Sequence, residues 1–309
     1  MEKSYSVVVP SKNISSIQYP LKGVDINETC KKCHDGGGQA PDVFESDTGY
    51  NIPENGREAG ALNNVSSYGE YAPYKGHTLG DTSVAPLGTW SNPQGLNCAD
   101  CHDPHGNTNG AVDIKGNPIE NVYRNLNTNA GNAPDGSINV SYAIGPANDI
   151  TKDIFEKLKE GNNKYDISNI DFNKPDNTKS AITEFCKKCH SNILGNSNGN
   201  GLSGRFTMHP AAGINIGEAS GKSSDEHSTK TIFGNKSYRV KVMSDSGDWG
   251  THRSKWISIS GSLTPTCLSC HKAHGNRNSF GLIYAKGTAN LGEDGDGKSV
   301  TDLCHQCHK

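Results

Sequence analysis

Long apolar runs are missing from this 309-residue chain. No stretch approaches the 18 or more apolar residues that a membrane-crossing helix needs, which excludes a helical membrane subunit. Aliphatic and aromatic residues are scarce as well: hydrophobic types make up 32% of the chain and aromatics 7%, with a mean hydropathy of −0.68. A chain of this length normally buries a sizeable side-chain core, and here there is too little Leu, Ile, Val and Phe to build one. Charge of one sign is also lacking. The net charge is −3, the pI is near 6.4, and no basic stripe runs along the sequence, so nothing points to nucleic acid. The polar residues are Asn, Ser and Gly rather than blocks of like charge, which argues against a disordered polyelectrolyte. Something other than side chains is expected to fill the interior. Near the start the most apolar patch is "SVVVP" (6–10), far shorter than a signal-peptide core. The numbering is therefore expected to begin at or near a mature N-terminus, after removal of an export signal.

Cysteine is what the chain does have. There are 10, and all lie in C-x-x-C pairs: Cys30/Cys33, Cys98/Cys101, Cys186/Cys189, Cys267/Cys270 and Cys304/Cys307. Each pair is followed at once by a histidine: His34, His102, His190, His271 and His308. Three chemistries use C-x-x-C: structural zinc, thioredoxin-like disulfides and covalent haem attachment. Zinc normally consumes two pairs per ion, and five pairs leave one stranded. Disulfide exchange has no use for the histidine. With 12 histidines in 309 residues, five chance placements have a probability of about one in ten million. Haem attachment explains every letter. Two thiols add across the haem vinyl groups, the short turn spaces them, and the adjacent imidazole lies under the iron as proximal ligand. Five copies imply five covalently attached haem c groups, with about 62 residues to wrap each. Their apolar faces would be buried in place of the missing aliphatic side chains.

Seven histidines remain: His77, His105, His209, His227, His252, His274 and His305. Methionine, the other common axial ligand, occurs only as Met1, Met208 and Met243, so all-histidine ligation is expected. "CADCHDPHGN" (98–107) and "CLSCHKAHGN" (267–276) are nearly the same ten residues. In each, the second histidine, His105 or His274, cannot reach the far face of the haem held by the first, because the porphyrin lies between. It can reach a different haem packed alongside, which would force two haems into contact. "ETCKKCH" (28–34) and "EFCKKCH" (184–190) precede these copies, so the chain reads as two two-haem units and a closing "CHQCH" (304–308). His77 and His252 lie at comparable distances before Cys98 and Cys267 and are expected equivalents. His209, beside Met208, supplies the fifth distal ligand. His227 and His305 are expected to be spare.

Regular structure should be sparse: mostly irregular coil with a few short helices and minor strands, wrapped around a stacked haem chain. "DIFEKLKEG" (153–161) and "KSAITEFCKKCH" (179–190) read as helices, the second capped by Ser180 and ending in its attachment turn. "SYRVKVMS" (237–244) alternates as a strand does. Residues 106–150 and 191–230 read as loop. The expected divisions are an N-terminal arm (1–29), a first two-haem unit (30–110), a loop-rich connection with a short helix (111–180) and a three-haem unit (181–309). The lysine pairs at 31–32 and 187–188 sit inside attachment turns, where they would offset haem propionates or simply be solvated.

The run "GHTLG … GLNCADCHDPHGN … VYRNLN … EFCKKCH … MHPAAG … CLSCHKAHGN" resembles the doubled-CxxCH-motif multihaem cytochromes of metal-respiring microbes, in particular the small extracellular cytochromes that polymerise into filaments called microbial nanowires. The resemblance implies bis-histidine haems in one continuous stack, with one axial histidine donated by a neighbouring subunit; His77 is the candidate for that role here. It also implies export to the extracellular space or cell surface, partners that are copies of the same chain arranged head to tail, and redox exchange with other cytochromes and extracellular acceptors. Tetrahaem members lack one of these five sites. Electron conduction without substrate chemistry is the expected function, as a filament subunit or as a soluble periplasmic shuttle. A multihaem enzyme of the nitrite or hydroxylamine type needs an iron with an open position, and nitrite reductases of this haem number carry a Cys-x-x-Cys-Lys that this sequence lacks. Mass spectrometry of the denatured protein should show five haem additions; four or fewer would mean that an intact C-x-x-C-H is not an attachment site.

Overall fold

A computed structural model describes residues 25–34, 43, 59–60, 62, 76–80, 83–103, 126–127, 140, 142–143, 164–165, 180–191, 215–216, 229–235, 240, 242–245, 262–275, 279–283 and 301–308. Among them regular structure comes in short pieces. The helices are α1 (Ile26–His34), α2 (Ala181–Lys187), α3 (Thr229–Gly234), α4 (Cys267–Cys270) and α5 (Thr301–Cys304). Two-residue strands pair antiparallel: β1 (Tyr142–Ala143) with β2 (Lys164–Tyr165), and β3 (Met243–Ser244) with β4 (Leu263–Thr264). None of these helices is long and apolar enough to cross a membrane.

Local chemistry accounts for where the helices start. Asp25 opens α1: its carboxylate accepts the Glu28 amide at 2.8 Å and its carbonyl accepts the Thr29 hydroxyl at 2.8 Å, satisfying donors that have no partner within the helix. Ser180 does the same for α2, accepting the Thr183 amide on its hydroxyl at 3.2 Å. The expected capped helix at 179–190 is thus present, with Ile182, Thr183 and Phe185 facing inward. The shared "E-x-C-K-K-C-H" letters also produce a shared contact. Lys31 pairs with Glu28 at 3.2 Å and Lys187 with Glu184 at 3.1 Å, one turn back on each helix. Both pairs are largely solvent-exposed and contribute a few tenths of a kcal/mol at most.

The strand expected at 237–244 is shorter than its pattern. Val240 and Val242 are buried as the alternation requires, and the pairing seen among the described residues is Met243↔Thr264 and Ser244↔Leu263. Pro265 follows β4 directly and has no amide to extend the ladder. The helix expected at 153–161 lies outside the described residues, as does most of 106–150 and 191–230.

Among the described residues apolar side chains are buried in three clusters, each with attachment cysteines packed against it. Leu126, Val140, Ile182, Phe185 and Met243 pack with Cys101 and Cys186. Ile216, Phe233, Val240, Val242, Leu263, Ile283 and Leu303 pack with Cys270 and Cys307. Ala85, Trp90 and Leu96 pack with Cys189. Two buried amides hold the second cluster together: Asn215 accepts the Leu263 amide at 3.1 Å, and Gln306 accepts the Val240 amide at 3.3 Å. Phe233 is completely buried there. Phe233→Ala is expected to cost about 3–5 kcal/mol, read as a lower denaturation midpoint; a change below about 1 kcal/mol would mean that the cluster does not carry this end of the fold.

Candidate haem sites

The five C-x-x-C-H motifs adopt one backbone form, a single helical turn. The first cysteine's carbonyl accepts the histidine amide four residues on: Cys98 from His102 at 2.9 Å, Cys186 from His190 at 3.0 Å, Cys267 from His271 at 2.9 Å and Cys304 from His308 at 3.0 Å. In the first copy the whole motif is the C-terminal part of α1. The two cysteines and the histidine therefore leave each turn in a fixed relation, which two thioether bonds and one axial bond require.

Burial raises most of the inner thiols. Cys98, Cys101 and Cys270 are pushed up to about 12, in each case by burial first and then by a neighbouring thiol: Cys30, Cys189 and Cys307 respectively. Burial and then Asp100 bring Cys189 to about 11. Cys186 and Cys267 share a hydrogen bond that raises the first and lowers the second. A thiolate is disfavoured in such surroundings, whereas a thioether sulfur is neutral and apolar. Among the described residues no three His, Cys, Asp or Glu side chains converge to hold a metal ion, so the tetrahedral set of structural zinc is not seen there.

Enclosure is not uniform across the attachment cysteines. Cys33 of the first motif and Cys304 of the last are exposed, while the other eight cysteines are half-buried. The physical reason lies in which sulfur of each end motif turns inward. Cys30 meets Cys98 and Cys307 meets Cys270, so Cys33 and Cys304 are left on the outward side of their turns. Cys33 also lies outside the three apolar clusters formed by the described residues. Of the ten expected cofactor-binding cysteines, Cys33 is thus one that the packing alone does not single out; its case rests on the "CKKCH" letters and the helical turn it shares with Cys30.

Backbone carbonyls orient three of the imidazoles. His190 Nδ1 donates to the Pro86 carbonyl, His271 Nδ1 to the Phe280 carbonyl and His77 Nδ1 to the Ala273 carbonyl, each at 2.8 Å. A carbonyl only accepts, so the proton sits on Nδ1 and the Nε2 lone pair is left for a metal, the usual outer-shell arrangement. The rings of His77 and His190 face each other with centroids 6.1 Å apart, and so do those of His102 and His274. Two imidazoles on opposite sides of one metal, with bonds of about 2.0–2.1 Å and about 1.1 Å more to each ring centre, sit about 6.3 Å apart. Both pairs match that separation. Burial is the first cause lowering His77, His271 and His274, the last to about 3, which keeps these rings in the neutral form that binds iron. The Nδ1 of His274 is buried without a well-formed hydrogen bond, and the nearby Gly60 backbone offsets only part of the burial.

His77 and His274 are the distal candidates that the described residues include. His274 faces His102 rather than His271, the histidine of its own motif, as the ten-residue repeat leads one to expect. His77, the candidate for a role across a subunit interface, has its ring beside that of His190 of the same chain. His305 is exposed in its turn. His105, His209, His227 and His252 lie outside the described residues.

Several supporting groups were not apparent from the motifs. Asn27 of α1 reaches 71 residues along the chain to accept the Cys98 amide at 3.0 Å and fixes the first two motifs side by side. Gly88 lies against the Cys189 carbonyl, where any Cβ would collide, beside the Pro86 carbonyl that orients His190. The only sequence hint was punctuation, the "APLG" turn before Trp90.

The family model for the doubled CXXCH motif matches residues 263–309. That segment holds the last two of the five C-x-x-C-H motifs. The chain's likeness to doubled-motif cytochromes, expected from the spacing, is borne out there. No curated protein matches this chain. Among solved structures it is similar to the outer membrane cytochrome S filament from Geobacter sulfurreducens, at 16% identity and a TM-score of 0.45, covering 92% of this chain and 89% of that one.

Proposed function

We propose that this chain carries five haem c groups, each between two histidines, and relays electrons along them in chain order with no substrate chemistry. The observation that carries the reading is the contact sequence of the attachment turns. Cys30 meets Cys98, Cys101 meets Cys189, Cys186 meets Cys267, and Cys270 meets Cys307. Cys30–Cys98 and Cys186–Cys267 share hydrogen bonds, while Cys189 and Cys307 lie near enough to raise Cys101 and Cys270, so motif one neighbours two, two neighbours three, three neighbours four and four neighbours five. The contacts alternate between leading and trailing cysteines, so each inner motif has one neighbour on either side of its turn. The outward sulfurs, Cys33 and Cys304, then mark the two ends of the row, where a haem edge would meet solvent or a partner.

Haem iron supplies a one-electron couple when bound. The chain's part is to set the order, close both axial positions and keep the inner sulfurs dry. His190 with His77, and His102 with His274, would leave no open position at the third and second motifs, which favours conduction over catalysis. His105, His209 and His252 are the proposed distal ligands for the other three. The two-haem unit (30–110), the connection (111–180) and the three-haem unit (181–309) then form one relay rather than separate centres.

The same reading extends to assembly. A linear relay has two ends, and head-to-tail contact between ends does not close, so it generates a filament. The arm, residues 1–29, carries no histidine or cysteine; its last residues enter α1 and hold Cys98 through Asn27, and the part before Asp25 is proposed to lie along a neighbouring copy as an extended segment. Location outside the cell, with other cytochromes and extracellular acceptors as redox partners, follows from the motif resemblance.

Two measurements test the proposal. The ferric protein should be entirely low-spin and should not bind cyanide; a high-spin signal would mean an open iron and favour an enzyme. Negative-stain microscopy of native material should show filaments, and a preparation of monomers or closed dimers only would leave the periplasmic shuttle in place of the filament subunit.

A further inference from the structure

Three glycines bring three distant stretches of backbone into contact beside the two facing imidazole pairs. Gly60 bridges Gly275 in a parallel sense and Gly76 bridges it in an antiparallel sense. Ala59 accepts the His274 amide at 2.7 Å, and the His274 carbonyl accepts the His77 amide at 2.9 Å. Ala273 then takes the His77 Nδ1 proton at 2.8 Å. His274 is thus held on both sides of its own peptide, and His77 is held by His274's segment at backbone and ring alike.

The packing leaves no room for a side chain. A Cβ on Gly60 would fall on the Gly275 carbonyl and lie 2.8 Å from Lys272 Cβ; one on Gly76 would lie 2.5 Å from Gly275 Cα and 2.6 Å from the His274 carbonyl. Gly60 (φ +76°) and Gly275 (φ +148°) also have backbone conformations that other residues rarely adopt. Neither a hydrophobic cluster nor an attachment turn needs this junction, and its hydrogen bonds end on two histidines that face different motifs.

We propose that Gly60, Gly76 and Gly275 form a clamp that seats His77 and His274 as one unit, so that the distal ligands of the second and third haems are gained or lost together. The inference rests on the bis-histidine reading above. The glycines are positioning residues; they touch no cofactor and act through where the two rings are placed. One clamp would keep two adjacent irons of the relay in the same ligation state, so that the relay has no step between a six-coordinate and a five-coordinate site at that point.

The test compares Gly60→Ala with Gly80→Ala in the holoprotein. Gly80 has nearly the same backbone conformation (φ +78°), but nothing lies within 4 Å of where its Cβ would stand, so it carries the strain without the collision. With haem content unchanged by mass, electron paramagnetic resonance should show two high-spin ferric haems per chain in Gly60→Ala and none in Gly80→Ala. His274→Ala keeps the clamp backbone and should release one haem only. If Gly60→Ala matches Gly80→Ala, or releases a single haem, the clamp is refuted. If instead His77→Ala and His274→Ala both leave every haem low-spin, the bis-histidine assignment itself has failed. Should Gly60→Ala not fold, amide exchange in the unaltered protein decides: the His77 and His274 amides should open with the same protection, and independent opening overturns the proposal.

Discussion

One hydrogen bond recurs at the attachment turns on which this fold depends, from the histidine amide to the carbonyl of the cysteine four residues earlier. It closes a single helical turn, and that turn sets two sulfurs and one imidazole in a fixed relation. A helix this short is unstable alone. Four of these turns are supported from outside: by Asn27 at the second motif, by the turn around Gly88 at the third, by the Ile283 amide donating to the Cys270 carbonyl at the fourth, and by the Val240 amide donating to Gln306 at the fifth. The small apolar clusters have the same organisation, since each one closes around attachment cysteines. A polar, glycine-rich chain can thus be ordered without a large side-chain core, because order is concentrated where cofactor is attached.

Histidine placement follows from the same economy of structure. Backbone carbonyls at Pro86, Ala273 and Phe280 fix the tautomers of three rings, and none of them needs a dedicated polar side chain. Such carbonyls come from irregular backbone, which helices and sheets would have used internally. The scarcity of regular structure is in this sense part of how the sites are made. Carbonyl groups left over in the loops orient the histidine rings.

Much of the site was legible in the sequence because covalent attachment demands contiguous letters. Cys98–His102 and Cys267–His271 can be read as attachment turns with no knowledge of the fold, and Ser180 announces its helix three residues ahead of the amide it caps. The repeat also led one to expect that His274 turns to a motif other than its own, and its ring stands beside His102. Pairing of particular rings was not legible. His77 precedes His190 by more than a hundred residues, and only the meeting of Ala59, Gly76 and Gly275 shows why it turns back into its own chain. Glycine flanks both histidines, in "GH" at 76–77 and "HG" at 274–275, yet a chain with 36 glycines makes that signal easy to pass over. The exposure of Cys33 was equally hidden, because "CKKCH" is spelled identically at 30–34 and 186–190 and only the position of a motif in the row decides which sulfur is covered. The strand at 243–244 stopped short of its alternating pattern because Pro265 lies on the partner strand, a tertiary constraint that periodicity along one segment does not contain.

The central claim is that the motifs are strung in chain order, each neighbouring the one before and the one after. Locating the five irons in the holoprotein, by anomalous scattering or high-resolution electron microscopy, tests it most directly. The account predicts an unbranched row in which the iron attached through Cys186 and Cys189 lies between those attached through Cys98 and Cys101 and through Cys267 and Cys270. A branched cluster, or a row in which the third iron sits at an end, would contradict it.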